Sequence, residues 1–181
     1  PTDMPGPTDT PEPEDTPEAV AFDVALDGDQ TIQLPARSLA IYNLVGNIEV
    51  VPWTGDTIEV DLHPGGRDGN DLQVEAGEID GRQTLRIIYP SDWIVLPREG
   101  SITTMGVDVH ADGTFGEEAR AGGRYVHVTM GIGPSEMQWL SPQPTGPPLE
   151  ARADLTVRVP AQHDISLYLP VVYGSLDVRE V

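Results

Sequence analysis

The side chains best suited to chemistry in this chain are four histidines, His63, His110, His127 and His163, set among 30 acidic residues. His110 in GVDVH and His127 in YVHVT each sit in an alternating run, and with Asp108 they could meet across two strands as a metal-binding trio. No fixed ligand spacing supports that trio, so polar side chains on a solvated sheet face are expected and no metal is assigned. Asp27-Gly28-Asp29 and the run from Asp68 to Asp71 carry oxygens that suit calcium, yet neither has the register of a full calcium loop with its distal glutamate. Turn chemistry accounts for both. No cofactor is expected, calcium being the one ion these turns could attract.

Nucleophile and phosphate chemistry are less well supported. The chain has no Gly-x-Ser-x-Gly motif, and Ser91, Ser135 and Ser166 lack the strand-turn-helix setting that activates a serine. GGRDG, from Gly65 to Gly69, is followed by neither lysine nor helix and reads as a turn. Paired carboxylates for glycoside hydrolysis could be drawn from many acids, but nothing selects one pair. No catalytic set emerges, and the chain is read as a non-enzyme. Trp93 in SDWIVLP and Trp139 in SEMQWLSP lie outside clean alternating strands, which makes them the candidates for contact with a glycan or a protein. Core packing is the plain alternative for either one.

Composition narrows the partners. The formal charge is −20, with 10 basic residues that are all arginine. Such a polyanion gains nothing from counterion release at phosphates, so nucleic acid is excluded and an anionic bilayer surface is disfavoured. No apolar run reaches membrane-spanning length. Cysteine is absent, which removes disulfides and thiolate chemistry. The chain starts at Pro1, from which removal of an upstream signal and an extracellular or cell-surface location are expected.

Residues 1–17, PTDMPGPTDTPEPEDTP, hold nothing able to form a core and read as an extended acidic tail. Residues 18–181 are expected to form a single all-β domain, since short alternating runs are separated by Gly, Pro and Asp. A tetrapeptide of polar, Ile or Leu, polar, aliphatic recurs as TIQL at Thr31, NIEV at Asn47, TIEV at Thr57, DLQV at Asp71, TLRI at Thr84, DLTV at Asp154, DISL at Asp164 and SLDV at Ser175. Each copy puts two aliphatic side chains on one strand face. Two copies share more: Val45-Gly46-Asn47-Ile48-Glu49-Val50 and Tyr173-Gly174-Ser175-Leu176-Asp177-Val178 each place a glycine where a tight corner needs no Cβ. Gly46 and Gly174 are therefore structural corners. This favours a β-solenoid or β-roll, with a β-sandwich-like domain as the other arrangement. An irregular insertion is expected at about residues 90–148, with β-like runs at Met105–His110 and Arg124–Met130. Its mobile loop is expected between Phe115 and Gly123.

The segments SLAIYNLVGNIEVVPWTGDTIEV and LTVRVPAQHDISLYLPVVYGSLDV resemble a bacterial adhesin-like family of unknown function, whose members repeat G-x-aliphatic-x-Val units after a Val-x-Val-Pro strand. The likeness covers about residues 38–88 and 151–181. It implies an exported right-handed β-solenoid or β-roll with no catalytic residues to carry over. Family members continue through several more such units, whereas this chain has one near its end, and an exposed strand is expected there.

Together these readings predict an extracellular structural or adhesive protein that self-associates through β-edges as a homo-oligomer or open head-to-tail polymer. The expected donor strand runs from Ala19 through Val20, Phe22 and Val24 to Leu26. The expected acceptor is the terminal edge carrying Leu176, Val178 and Val181. A carbohydrate-binding surface module using Trp93 and Trp139 is the alternative, and a glycosidase-like enzyme the third.

Overall fold

The structure is a computed structural model and describes residues 20–35, 37–98, 101–116, 122–131 and 146–179. The acidic tail, Ala19, Trp139, Val181 and most of the expected loop after Phe115 lie outside the described residues. The fold is all-β, with fourteen strands and one short 3-10 turn at Gly69–Asp71 among the described residues. In chain order the strands are β1 (Phe22–Ala25), β2 (Gln30–Leu34), β3 (Ser38–Val45), β4 (Ile48–Trp53), β5 (Ile58–Gly65), β6 (Gln73–Ile79), β7 (Arg82–Ile88) and β8 (Trp93–Leu96). They continue as β9 (Thr103–His110), β10 (Gly123–Met130), β11 (Arg152–Pro160), β12 (Ser166–Tyr168), β13 (Val171–Tyr173) and β14 (Leu176–Val178). Among the described residues no helix is long and apolar enough to cross a membrane.

Among the described residues three sheets form, and none closes into a barrel. The first has the order β1-β6-β7-β3-β12, with β13 also pairing β3. The second has the order β14-β4-β11-β5-β2. The insertion forms the third, β8-β10-β9, so the β-like runs foreseen in it are real strands. All eight tetrapeptides fall on strands or at their starts, and the inward aliphatics of most of them build the core between the first two sheets: Ile48, Val50, Ile58, Val60, Leu72, Val74, Leu85, Leu155 and Val157 are all buried.

Strand β3 explains how the third sheet attaches. Its sequence SLAIYNLV is apolar almost throughout, as befits a strand covered on both faces. One face is turned to the second sheet, where the Asn43 amide donates to the Ala153 carbonyl of β11 at 2.7 Å. The other carries Tyr42, whose ring meets Phe115 edge-on at 5.5 Å beneath the third sheet. Between β6 and β7 the chain reverses at Asp80-Gly81, with positive φ at both residues as a tight hairpin of this composition requires.

Counted strand by strand from one end of each sheet, the two large sheets give five layers: β1 with β2, β6 with β5, β7 with β11, β3 with β4, and β12–β13 with β14. The chain visits them out of order, filling the first, the fourth, the second, the third and then the fifth. In a solenoid consecutive coils follow the chain. The all-β class expected from the alternating runs is therefore present, while a β-solenoid or β-roll is not shown among the described residues.

Candidate functional site

The fifth layer lies on the fourth with one constant register. Ser166 pairs Ser38, Tyr168 pairs Ala40, Val171 pairs Asn43, Tyr173 pairs Val45, and Leu176 to Val178 pair Ile48 to Val50, all in the parallel sense. The two glycine corners recognised in the sequence are thus stacked directly on one another. Gly46 N–H donates to the Tyr173 carbonyl at 2.9 Å and Ile48 N–H to the Ser175 carbonyl at 2.8 Å. The Asn47 side-chain oxygen accepts from both the Ser175 N–H and its hydroxyl, at 3.1 and 2.8 Å. Glycine is required by contact as well as by φ. A Cβ on Gly46 would lie 1.8 Å from the Ala153 carbonyl oxygen, and one on Gly174 would lie 1.7 Å from that of Gly46.

A polar knot below the corner fixes its position. The buried Tyr89 hydroxyl lies 2.8 Å from Asn43 Oδ1 and 2.7 Å from the Val45 carbonyl, and it accepts from the Val45 N–H at 3.3 Å. Burial pushes this phenol well above its ordinary range, so it remains a neutral donor. Asn43 and Tyr89 were not singled out in the sequence. The available signal was an asparagine in the middle of an otherwise apolar run, which has to find buried partners.

Above the corner nothing among the described residues continues the layers, because β12, β13 and β14 stand at the ends of their sheets. Leu176 extends the column formed by Leu155 and Ile48, and Val178 extends that of Val157 and Val50. The inner members of these columns are at most 2% exposed, whereas Leu176 is 52% and Val178 56% exposed. Beside them Ile165, Leu167, Leu169, Val50 and Val159 line an open apolar cleft of about 480 Å³ between the two sheet ends. From Ser166 to Val178 the only charged side chain is Asp177. The layer is held down laterally by Arg179, which reaches Glu49 and Asp177, and by Arg98, which donates to the Tyr173 hydroxyl at 2.9 Å.

The opposite end is the β1–β2 layer. The expected donor strand is seated within its own chain: β1 pairs antiparallel with β6, Leu26 is fully buried, and Val20 exchanges two 2.7 Å hydrogen bonds with the Gln83 amide. What β1 leaves free is its outer edge, with Val24 39% exposed. Strand β2, QTIQL, carries no charge, and its outer edge is also uncovered among the described residues. Of the five large exposed hydrophobics among the described residues, Val24, Leu176 and Val178 lie on these two end layers.

Other expected site residues are placed differently. Trp93 is not an exposed platform: it is buried, and its indole N–H donates to the Thr129 hydroxyl at 3.3 Å across β8 and β10. No face of it is open to a sugar. His110 lies opposite Gly123 and His127 opposite Gly106, so the pairing of β9 with β10 separates the histidines instead of joining them. The His127 ring packs edge-on against Tyr125 at 4.9 Å. Among the described residues no three His, Asp or Glu side chains form a metal-holding group. Both Asp68 oxygens are engaged, by Arg67 and by the Glu150 N–H, and Asp29 faces His63 at 3.3 Å.

No protein-family model matches this chain, and neither does any curated protein or solved structure. The geometry of the two end layers is what distinguishes the molecule.

Proposed function

We propose that this is an exported structural or adhesive surface protein that associates with copies of itself through the open edges of its sheets. The observation that carries this reading is the pair Leu176 and Val178, which continue fully buried columns yet stand half exposed at a nearly uncharged edge. Full burial of each side chain is worth ~1.5–3 kcal/mol, and the outer edge of their own strand, β14, has no strand partner among the described residues. The Pro- and Thr-rich segment before Val20 supports surface display. Mutual repulsion at −20 per chain opposes association, so salt and divalent cations strengthen it.

Sedimentation velocity across a salt series tests this. Sedimentation coefficients are expected to rise with protein concentration, and more so at high salt. A chain that stays strictly monomeric at every salt and concentration overturns the reading.

A further inference from the structure

The two end layers match in a way that a single edge would not require. In the first sheet β1 is antiparallel to β6 and β6 to β7, while β7, β3 and β12–β13 are mutually parallel, so β1 runs in the same direction as β12 and β13. In the second sheet β2 is antiparallel to β5 and β5 to β11, while β11, β4 and β14 are parallel, so β2 runs with β14. The first layer passes from the first sheet to the second through the turn at Gly28, and the fifth makes the same passage through Gly174. Both ends are therefore units of one polarity and one direction of passage, on opposite sides of the molecule.

We propose that the β1–β2 layer of one copy seats on the β12–β14 layer of the next, extending both sheets at once with strands in the parallel sense. This rests on the self-association reading above and names the partner surface for it. A second copy is the occupant that fits, because only a partner offering two edges of this polarity continues both sheets together. The surfaces are also compatible electrostatically. In a chain of −20, β2, β12 and β13 carry no charge, β1 has only Asp23, and Asp177 of β14 is faced by Arg179. Apolar side chains meet on joining: Val24 and the half-buried Phe22 and Ile32 from one side, Leu167, Leu169, Leu176 and Val178 from the other. The contact joins two surfaces at opposite ends of the molecule, so it repeats head to tail, and sheet twist turns each copy relative to the last. The product is an open filament in which β1 stays in its own subunit as an edge strand and is not donated.

Complementation between end-blocked variants tests the arrangement. Val24→Asp blocks the first layer, with Val24→Lys as a second version; Leu176→Asp combined with Val178→Asp blocks the fifth. All are exposed positions, and circular dichroism with thermal melting checks that each variant folds. Each block is expected to weaken polymerisation by about thirtyfold or more, the effect of losing a central contact, and to leave that variant monomeric alone. An equimolar mixture is expected to form one-to-one dimers, through the intact fifth layer of one and the intact first layer of the other. If the Val24 variants still form homodimers and the mixture gains nothing, the fifth layers pair with each other, and head-to-tail stacking is overturned while self-association survives. A wild-type chain that stays monomeric overturns both. If deleting residues 1–19 converts such a monomer into a polymer, the fifth layer is occupied by the chain's own leading segment, and the second copy is displaced as its occupant.

Discussion

At the scale of single residues, the corner glycines leave no room for a side chain. Gly46, at φ +141°, lies between the Ala153 carbonyl and the layer above, so an added methyl must displace backbone on a buried corner. Gly46→Ala is expected to cost about 3 kcal/mol or more, combining strain at an unfavourable φ with overpacking. Gly174→Ala meets the Gly46 carbonyl just as closely, but its layer is outermost and can lift, so a loss of about 1–2 kcal/mol is expected. Urea unfolding of the two variants measures the difference; equal losses would mean that the fifth layer is as rigidly held as the fourth. These glycines were legible in the sequence because both precede the same pattern of small polar, aliphatic, acidic and valine residues. Trp93 was legible only in part: lying outside a clean alternating run it was a contact candidate with core packing as the plain alternative, and WIVL is a short strand of the third sheet whose side chains are mostly buried.

Strands and their connections were legible in kind but not in order. Each tetrapeptide marked a strand because alternation alone sorts inward from outward side chains. The copies are nearly interchangeable, however, and nothing in NIEV, TIEV or DLTV states which of them become neighbours. Order is set by features without a repeat, among them the Asn43–Tyr89 knot and Asp68. Asp68 lies between β5 and β6, accepts from Arg67 through both its oxygens, and takes the Glu150 N–H at 2.9 Å just before β11. The hydrogen bond from Arg67, seconded by that backbone N–H, holds its carboxyl below the ordinary value of 3.8. A folded-state pKa lower than the unfolded one stabilises the fold fully above about pH 4 and loses that contribution as pH falls through the lowered value. Asp68→Asn is therefore expected to cost about 1 kcal/mol at pH 7, discounted for the partial exposure of the site, and to melt with a shallower acid limb than wild type. Parallel acid limbs in the two proteins would show that Asp68 does not tie these connections together.

At the scale of the whole molecule, charge and shape act in opposite directions. Most arginines of the described residues are spent within the subunit on neighbouring acids, as Arg158 bridges Glu59 and Asp61 and Arg124 meets Asp92, so the excess negative charge spreads over the outer faces. The strands of the end layers carry less of it: β2, β12 and β13 have no charge, β1 has Asp23 and β14 has Asp177, with Asp27 and Asp29 in the turn at Gly28. A subunit of this kind repels its neighbours sideways and accepts them end on, which favours thin filaments over lateral bundles at low salt. The sequence marked the fifth layer through the second Gly-x-aliphatic-x-Val unit, Gly174 to Val178. It could not reveal that the first layer runs with the same polarity, since β1 and β2 have no corner glycine of the Gly46 kind and their direction follows from β5 and β6. The central claim is that the outer edge of β12–β14 is covered by another copy. Hydrogen–deuterium exchange of the segment Ser166–Val178, followed as protein concentration is raised at high salt, tests this most directly. Protection of this segment and of Phe22–Leu34 is predicted to grow together with concentration while the amides of β9 stay unchanged; exchange in both end layers that is independent of concentration would contradict it.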